Sequence, residues 1–455
     1  MELNGKRVLV VGLGKSGIAA AQFLERQGAR VTASDAKAES ELRGEIPALL
    51  EQGIAVETGG HGERTFRDQD LIVISPGVPY DVPQLTQARN QGVPVIGEIE
   101  LAARFLQGRI IAITGSNGKT TTTTLVGEIL EHAGYDAAVG GNIGTPVISM
   151  APESTPETWN VLEVSSFQLE TIQTFHPHIA AVLNITADHL DRHHSMEAYI
   201  AAKARIFENQ TAADFAVLNA DDPVSGSLAR NIKSPIFRFS RKQQLESGAF
   251  LRREEIIFRG PAREMVIMPA TEIPLKGAHN LENVLAAVVM ASLAGCPAER
   301  IRQAVREFKA VEHRLEFVAA INGVDYFNDS KATNVDAAVK AVESFPGNIH
   351  LVLGGKDKGS DYTVLRPLLR GRVKRVYTVG AAAAKIEGQL AGAVPIEPAQ
   401  TVENAVRRAA ELALPGDVVL LAPACASFDQ FENYEHRGRV FKQAVTALAR
   451  RSGAA

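Results

Sequence analysis

Short apolar runs, each closed by a glycine or a polar turn and followed by a longer amphipathic stretch, recur along this chain. The runs are rich in Val and Ile, which suits strands, and the stretches between them carry helical spacing. Residues 7–11 read as a strand and 18–27 as a helix, with further strands at 30–33, 71–74 and 93–96. A second series opens with a strand at 109–114 and a helix from Lys119 to about His132, followed by strands at 160–163 and 179–184. The stretch 234–272 is β-rich but mixed, and a helix at 280–294 follows it. A third series has strands at 324–328, 349–353, 376–379 and 417–421. This alternation predicts an α/β fold of parallel sheets covered by helices. The series break near Gly97 and near Val311, so domains are expected at 1–97, 98–310 and 311–455; the tail 450–455 is expected to fray.

A chain of 455 residues is too long for one ordinary core, which agrees with several domains. The net charge of −4 and the lack of a long basic run argue against broad nucleic-acid binding. Two cysteines, Cys296 and Cys425, make no disulfide framework and suit a reducing, cytoplasmic compartment. Lys6 and Arg7 precede an apolar run, but glycines break it and Lys15 follows, so it reads as a strand rather than a signal peptide. No apolar stretch reaches the ~18 residues that suggest a membrane span.

The strongest chemical signal is Thr114-Gly115-Ser116-Asn117-Gly118-Lys119-Thr120, which follows a strand and opens a helix. Glycines let backbone N–H groups approach phosphate oxygens; the helix start and Lys119 add positive charge, and the Thr120 hydroxyl suits Mg²⁺. The strict phosphate-loop pattern would put a glycine at Ile113, so this loop is a shortened relative. A second signal, Gly12-Leu13-Gly14-Lys15-Ser16-Gly17 with Asp35 ending the next strand, matches a dinucleotide fingerprint. Its ligand would carry phosphate and a sugar: NAD or a UDP-sugar. Ser75-Pro76-Gly77 would face the same crevice, and a plain tight turn is the competing account.

Glu163 at a strand end and the polar run from Asp188 to His194 could supply a hard divalent cation or form only a solvated loop. Lys203, by its spacing, is a surface lysine. Asn280 and Asn283 share a helix face and could read an adenine edge or merely polarise a helix start. Asp329-Ser330-Lys331-Ala332-Thr333-Asn334, Gly354 to Gly359 and Ser427-Phe428-Asp429-Gln430 are three strand-end loops suited to a small dianion. Ser427 and Gln430 also have capping-box spacing, so helix capping alone would explain Ser427.

These motifs in this order resemble the Mur ligases over nearly the whole chain. The segments Asn-Asp-Ser-Lys-Ala-Thr-Asn at 328–334 and Pro-Ala-Cys-Ala-Ser-Phe-Asp-Gln-Phe at 423–431 are similar to the family's D-glutamate-adding member. The resemblance implies three domains: a Rossmann-like N-terminal UDP-binding domain, a central ATPase domain with a parallel sheet, and a Rossmann-like C-terminal domain for the incoming amino acid. It implies an ATP-dependent ligase that joins D-glutamate to UDP-N-acetylmuramoyl-L-alanine through an acyl phosphate, in peptidoglycan precursor synthesis, as a cytoplasmic monomer with small-molecule partners. Gly14, Lys15, Ser16, Asp35, Ser75, Gly77 and Asn142 would then meet the UDP substrate. Gly115, Ser116, Asn117, Gly118, Lys119, Thr120 and Thr121 would hold ATP, with Asn280, Asn283, Arg314, Asp329 and Lys331 bordering the nucleotide. Thr120, Glu163, His189 and a carbamylated Lys203 would organise two Mg²⁺ ions, and Lys119, His189 and Lys203 would serve the chemistry. Thr333, Lys358 (or Lys356), Ser427, Phe428 and Tyr434 would hold D-glutamate.

Three other readings remain at this level. A nicotinamide-dependent oxidoreductase follows from the Gly12 turn but leaves the second phosphate loop without a role. A nucleotide-sensing protein without chemistry, and a ligase adding another amino acid or extending a folate, are the others.

Overall fold

The computed structural model describes residues 1–451 apart from 43, 45, 262 and 310; the last four residues of the tail expected to fray lie outside the described residues. The chain forms two compact units. The first comprises Met1–Ile185, Glu197–Ala270 and Val284–Val305; the second comprises Thr186–Met196, Thr271–Asn283 and the chain from Arg306 on.

The first unit holds two sheets. One runs Ala55–Glu57, Arg30–Ser34, Arg7–Val11, Leu71–Ile74, Val95–Gly97, all parallel. Val8 to Val11 and Leu71 to Ile74 are buried along their whole length, because helices cover both faces of the sheet. The second sheet has nine strands, with Arg109–Thr114 between Ile179–Val182 and Trp159–Glu163. From Ala137–Gly141 to Gly248–Arg252 its pairings are parallel. Glu255–Arg259 and Glu264–Pro269 then extend this mostly parallel sheet as an antiparallel meander. Arg253 and Glu254, both at positive φ, make the tight turn. Two hairpins in succession are the reason that 234–272 showed no strand–helix alternation.

The second unit holds a six-stranded sheet in the order Glu316–Ile321, Val324–Asn328, Val418–Leu421, Ile349–Gly354, Val373–Val379, Ile396–Gln400. Its first strand, unforeseen in the pattern because it is half exposed, pairs antiparallel through the turn Asn322-Gly323. No helix begins at Ser427: residues 428–430 form a turn, and the last helix, Tyr434–Arg451, starts beyond Asn433, whose Oδ1 accepts the His436 N–H at 2.7 Å. The capping reading of Ser427 is therefore wrong; Gln430 instead donates to the Gln400 carbonyl. Among the described residues no helix is long and apolar enough to cross a membrane.

The first helix, Lys15–Arg26, starts three residues before the expected position, because Gly14 is extended and ends the turn itself. Ser75 Oγ donates to the Gly12 carbonyl at 2.7 Å, and Gly17 packs so closely on that carbonyl that a Cβ would overlap its oxygen. We expect Gly17→Ala to cost about 1–3 kcal/mol or prevent folding. Gly14→Ala, at φ −72 with nothing within 4 Å of the added atom, should be near neutral. Urea denaturation of the two variants checks the contrast.

Candidate active site

The phosphate loop leaves the strand Arg109–Thr114 at the carboxyl edge of the nine-stranded sheet. The neighbouring strand end grips it: Asn184 accepts the Ser116 N–H on its carbonyl and the Asn117 N–H on Oδ1, each at 2.9 Å, and donates to the Asn117 carbonyl. Gly118 sits at φ 86 and turns the chain into the helix Lys119–His132, leaving the helix's first N–H groups at the loop. Lys119 Nζ lies back over the loop, donating to the Gly115 and Ser116 carbonyls at 2.8 and 2.9 Å. Thr121 is buried in the helix's first turn. Thr120 Oγ1 donates to Glu163 Oε2 and Asn142 Nδ2 to Glu163 Oε1, both at 2.8 Å. A buried carboxylate beside a hydroxyl at a phosphate loop is a hard oxygen donor set, and it fits Mg²⁺.

Lys203 is not a surface residue: it is 1% exposed. Its Nζ donates to the Gly115 carbonyl at 2.9 Å and lies 4.6 Å over the Tyr199 ring, while the Tyr199 hydroxyl pairs with Ser116 Oγ. An alanine-rich helix gives no periodic sign of which face is buried, which is why spacing misplaced Lys203.

Gly14, Lys15, Ser16, Asp35, Ser75, Gly77 and Asn142 all line one cavity of about 690 Å³ in the first unit. Asp35 shapes its mouth by accepting the Leu13 N–H at 2.6 Å and the Lys37 N–H at 2.8 Å. Lys37, His61 and Gln168 also line it and were missed. Lys37 sits two residues after Asp35, where a cation near a phosphate could have been suspected.

The second unit gathers the remaining loops. Lys358 and His189 line a cleft of about 420 Å³ with Asp188, Asn334 and Asp336. Asp188 accepts from Asn334 at 3.0 Å and pairs with Lys358 at 3.4 Å. Lys356 instead pairs its backbone with Ala426. Thr333, Ser427, Phe428 and Tyr434 are not among the cleft's lining residues; Ser427 is buried and Phe428 is 67% exposed. Lys331 Nζ lies 3.7 Å over the Tyr434 ring. Asn283 donates to Asn280, which donates to the Lys276 carbonyl. Loss of water pushes the Asp329 carboxyl up to about 7, against the pull of Arg314.

Arg437 was not foreseen, and a lone arginine in a helix offers no signal. It is 1% exposed and donates to Ser330 Oγ and the carbonyls of Ser330, Cys425 and Ala426 at 2.7 to 3.3 Å. It thereby ties the 328–334 loop to the segment leading into Ser427.

Three family models match in sequence: the Mur ligase MurD-like N-terminal domain at 6–97, the Mur ligase middle domain at 113–291, and the Mur ligase glutamate ligase domain at 313–425. The UDP-N-acetylmuramoylalanine–D-glutamate ligase of Koribacter versatilis is 64% identical over 449 residues, covering 99% of both chains. This chain belongs to the Mur ligase family. The ligase of the same name from Acidobacterium capsulatum is 63% identical over 457 residues, covering 100% of this chain and 99% of the relative. Among solved structures, a UDP-N-acetylmuramate-alanine ligase from Thermotoga maritima matches with a TM-score of 0.61 at 20% identity, covering 97% of this chain and 99% of that one. A pseudomurein peptide ligase type C from Methanothermus fervidus gives 0.61 at 19%, covering 97% and 100%. These two show the fold alone.

Mur ligases use ATP, generally with Mg²⁺, and membership removes the oxidoreductase reading. In this Mur ligase, loss of water and the cations Lys340 and Arg314 hold His279 down at about 4, from 6.5. Between those values the unfolded chain takes up a proton that the folded chain refuses. Stability is therefore lost as pH falls from 6.5 towards 4, and is unaffected by this group above that window. The difference in melting temperature between wild type and His279→Gln should be flat above pH 7 and shift in the variant's favour towards pH 4.

Proposed function

We propose that this Mur ligase forms the amide bond between UDP-N-acetylmuramoyl-L-alanine and D-glutamate, driven by ATP, in peptidoglycan precursor synthesis. The observation that carries the reading is the phosphate loop with its Thr120 hydroxyl already set against the buried Glu163 carboxylate. The near-full-length relatives that bear this name narrow the amino acid to D-glutamate.

A free carboxylate and an ammonium do not condense usefully in water, so the carboxylate is activated first. The L-alanyl carboxylate attacks the γ-phosphorus of ATP, releasing ADP and giving an acyl phosphate. Gly115, Ser116, Asn117, Gly118 and Thr121 present the loop and helix start to the phosphates, and Lys119 neutralises charge on the transferred group. Thr120 and Glu163 would hold Mg²⁺, which would supply charge neutralisation and Lewis acidity when bound. The D-glutamate amine then attacks the acyl carbon, phosphate leaves, and the amine's proton passes to a base, for which His189 is the candidate. Asn280, Asn283, Arg314, Asp329 and Lys331 border the nucleotide. Lys358, Thr333, Ser427, Phe428 and Tyr434 receive D-glutamate; the pairing of Lys356 with Ala426 supports Lys358 for that role. Gly14, Lys15, Ser16, Asp35, Ser75, Gly77 and Asn142 take the UDP substrate.

The domains of this reading are 1–97, 98–310 and 311–455, and the protein works as a cytoplasmic monomer, with its two buried cysteines free. In this reading Lys203 is carbamylated in the working enzyme, its neutral amine adding CO₂ and losing a proton, and the resulting anion would help to hold a second Mg²⁺. Its burial beside Gly115 supports this role.

Phosphate release with ATP, Mg²⁺ and UDP-N-acetylmuramoyl-L-alanine should appear with D-glutamate and not with L-lysine or meso-diaminopimelate; release with either of those instead would reassign the amino acid. Lys203→Ala should be nearly inactive and partly rescued by added short carboxylates, and normal activity in that variant would remove the carbamate.

A further inference from the structure

We propose that Glu98 is a positioning residue for the nucleotide-sugar substrate: its carboxylate fixes the short loop that carries Asn142 against the wall formed by residues 75–78. The inference rests on reading the 690 Å³ cavity as the UDP-substrate site.

Glu98 opens the helix Glu98–Ala103 directly after Val95–Gly97, the edge strand of the first sheet. It is 1% exposed. Its Oε1 accepts the Ile148 N–H at 2.7 Å, and the neighbouring Val147 N–H dipole favours the ionised carboxyl. These are the first N–H groups of the helix Val147–Met150, which follows Pro146. Proline has no side-chain acceptor, so this helix start lacks a cap of its own. Glu98 supplies the cap from the helix that follows the edge strand of the five-stranded sheet.

The capped helix ends the loop that begins at Gly141. At the loop's other end Asn142 is held twice by Glu163, through its N–H to the Glu163 carbonyl and through Nδ2 to Oε1, each at 2.8 Å. A short segment exposed at Asn142, Gly144 and Thr145 is thus pinned between two buried carboxylates. There is little slack around it. A Cβ on Gly140 would stand 2.7 Å from the Thr145 carbonyl oxygen and 2.6 Å from Met150 Sδ, and one on Gly97 would overlap the Thr171 hydroxyl.

Glu98 also stands behind the wall of the substrate cavity. It lines a cavity of about 10 Å³ with Ser75, Pro76, Val78 and Gln168, and those four residues line the large cavity as well. Its Oε2 is buried without a hydrogen-bond partner among the described residues. Burial pushes this carboxyl up to about 7, so the capping oxygen acts without a full charge below neutral pH. One side chain therefore sets the spacing between the 75–78 wall and the Asn142 loop.

The test uses the full chain with Glu98→Met, which keeps the volume without an acceptor, and Glu98→Gln, whose amide oxygen still accepts from Ile148. KM values are read from phosphate release, and binding of UDP-N-acetylmuramoyl-L-alanine is read by calorimetry. Glu98→Met should raise both the KM and the Kd of the nucleotide-sugar about tenfold, the scale of a lost cap. The KM of D-glutamate should stay within about twofold, since uniform binding of that substrate is untouched. Glu98→Gln should restore wild-type values. Unchanged nucleotide-sugar constants in Glu98→Met, an equal rise in all KM values, or a Glu98→Gln as impaired as Glu98→Met overturns the proposal. So does a Glu98→Met that fails to fold beside a Glu98→Gln of wild-type behaviour, which marks the cap as structural only. A wild-type chain that neither binds the nucleotide-sugar nor releases phosphate overturns the ligase reading instead.

Discussion

A carboxylate kept out of water, that of Glu163, is the joint on which the first unit's chemistry turns. Burying such a group is costly unless its oxygens are matched with donors. Here Thr120, from the helix behind the phosphate loop, satisfies one oxygen, and Asn142, from the rim of the large cavity, satisfies the other. The phosphate loop and the rim of the large cavity are therefore held in register by a single side chain at the end of the strand Trp159–Glu163. Removing either donor would leave a buried oxygen unmatched, at about 1–3 kcal/mol.

The second unit solves a like problem with the opposite charge. Among the described residues no carboxylate forms an ion pair with the buried Arg437, whose guanidinium is spread over carbonyl oxygens and one hydroxyl while Asp429 acts on it from further off. Desolvation pulls it down to about 10, still charged at neutral pH. Backbone oxygens carry partial charge only, so the geometry must be close to tolerate the cation. That requirement couples the 328–334 loop to the segment leading into Ser427.

Much of this was legible in the chain because the physics is local. Val8 to Val11 and Ile110 to Ile113 announce strands by their apolarity, and glycine turns after them announce phosphate approach. The parts that were not legible depend on distance in sequence. Lys203 and Arg437 are buried by elements far away in the chain, and a long cation looks the same to a periodicity argument whether it faces water or a carbonyl. Ser427 kept the spacing of a cap, yet the turn at 428–430 took its place because Asn433 supplies the real one. The meander at 248–269 hid behind its own regularity, since hairpins lack the strand–helix rhythm that revealed the rest.

Arg437 also bears on the order in which the protein matures. Its partner Ser330 lies 107 positions earlier in the chain. A contact that distant closes late, after nearer pairings have formed. The strand Val418–Leu421 lies between Val324–Asn328 and Ile349–Gly354, so the sheet of the second unit closes only once its last strand has been made, and Arg437 follows in the helix after it. The ties between Ser330 and the segment at Cys425 and Ala426 are thus among the last contacts that a nascent chain can make.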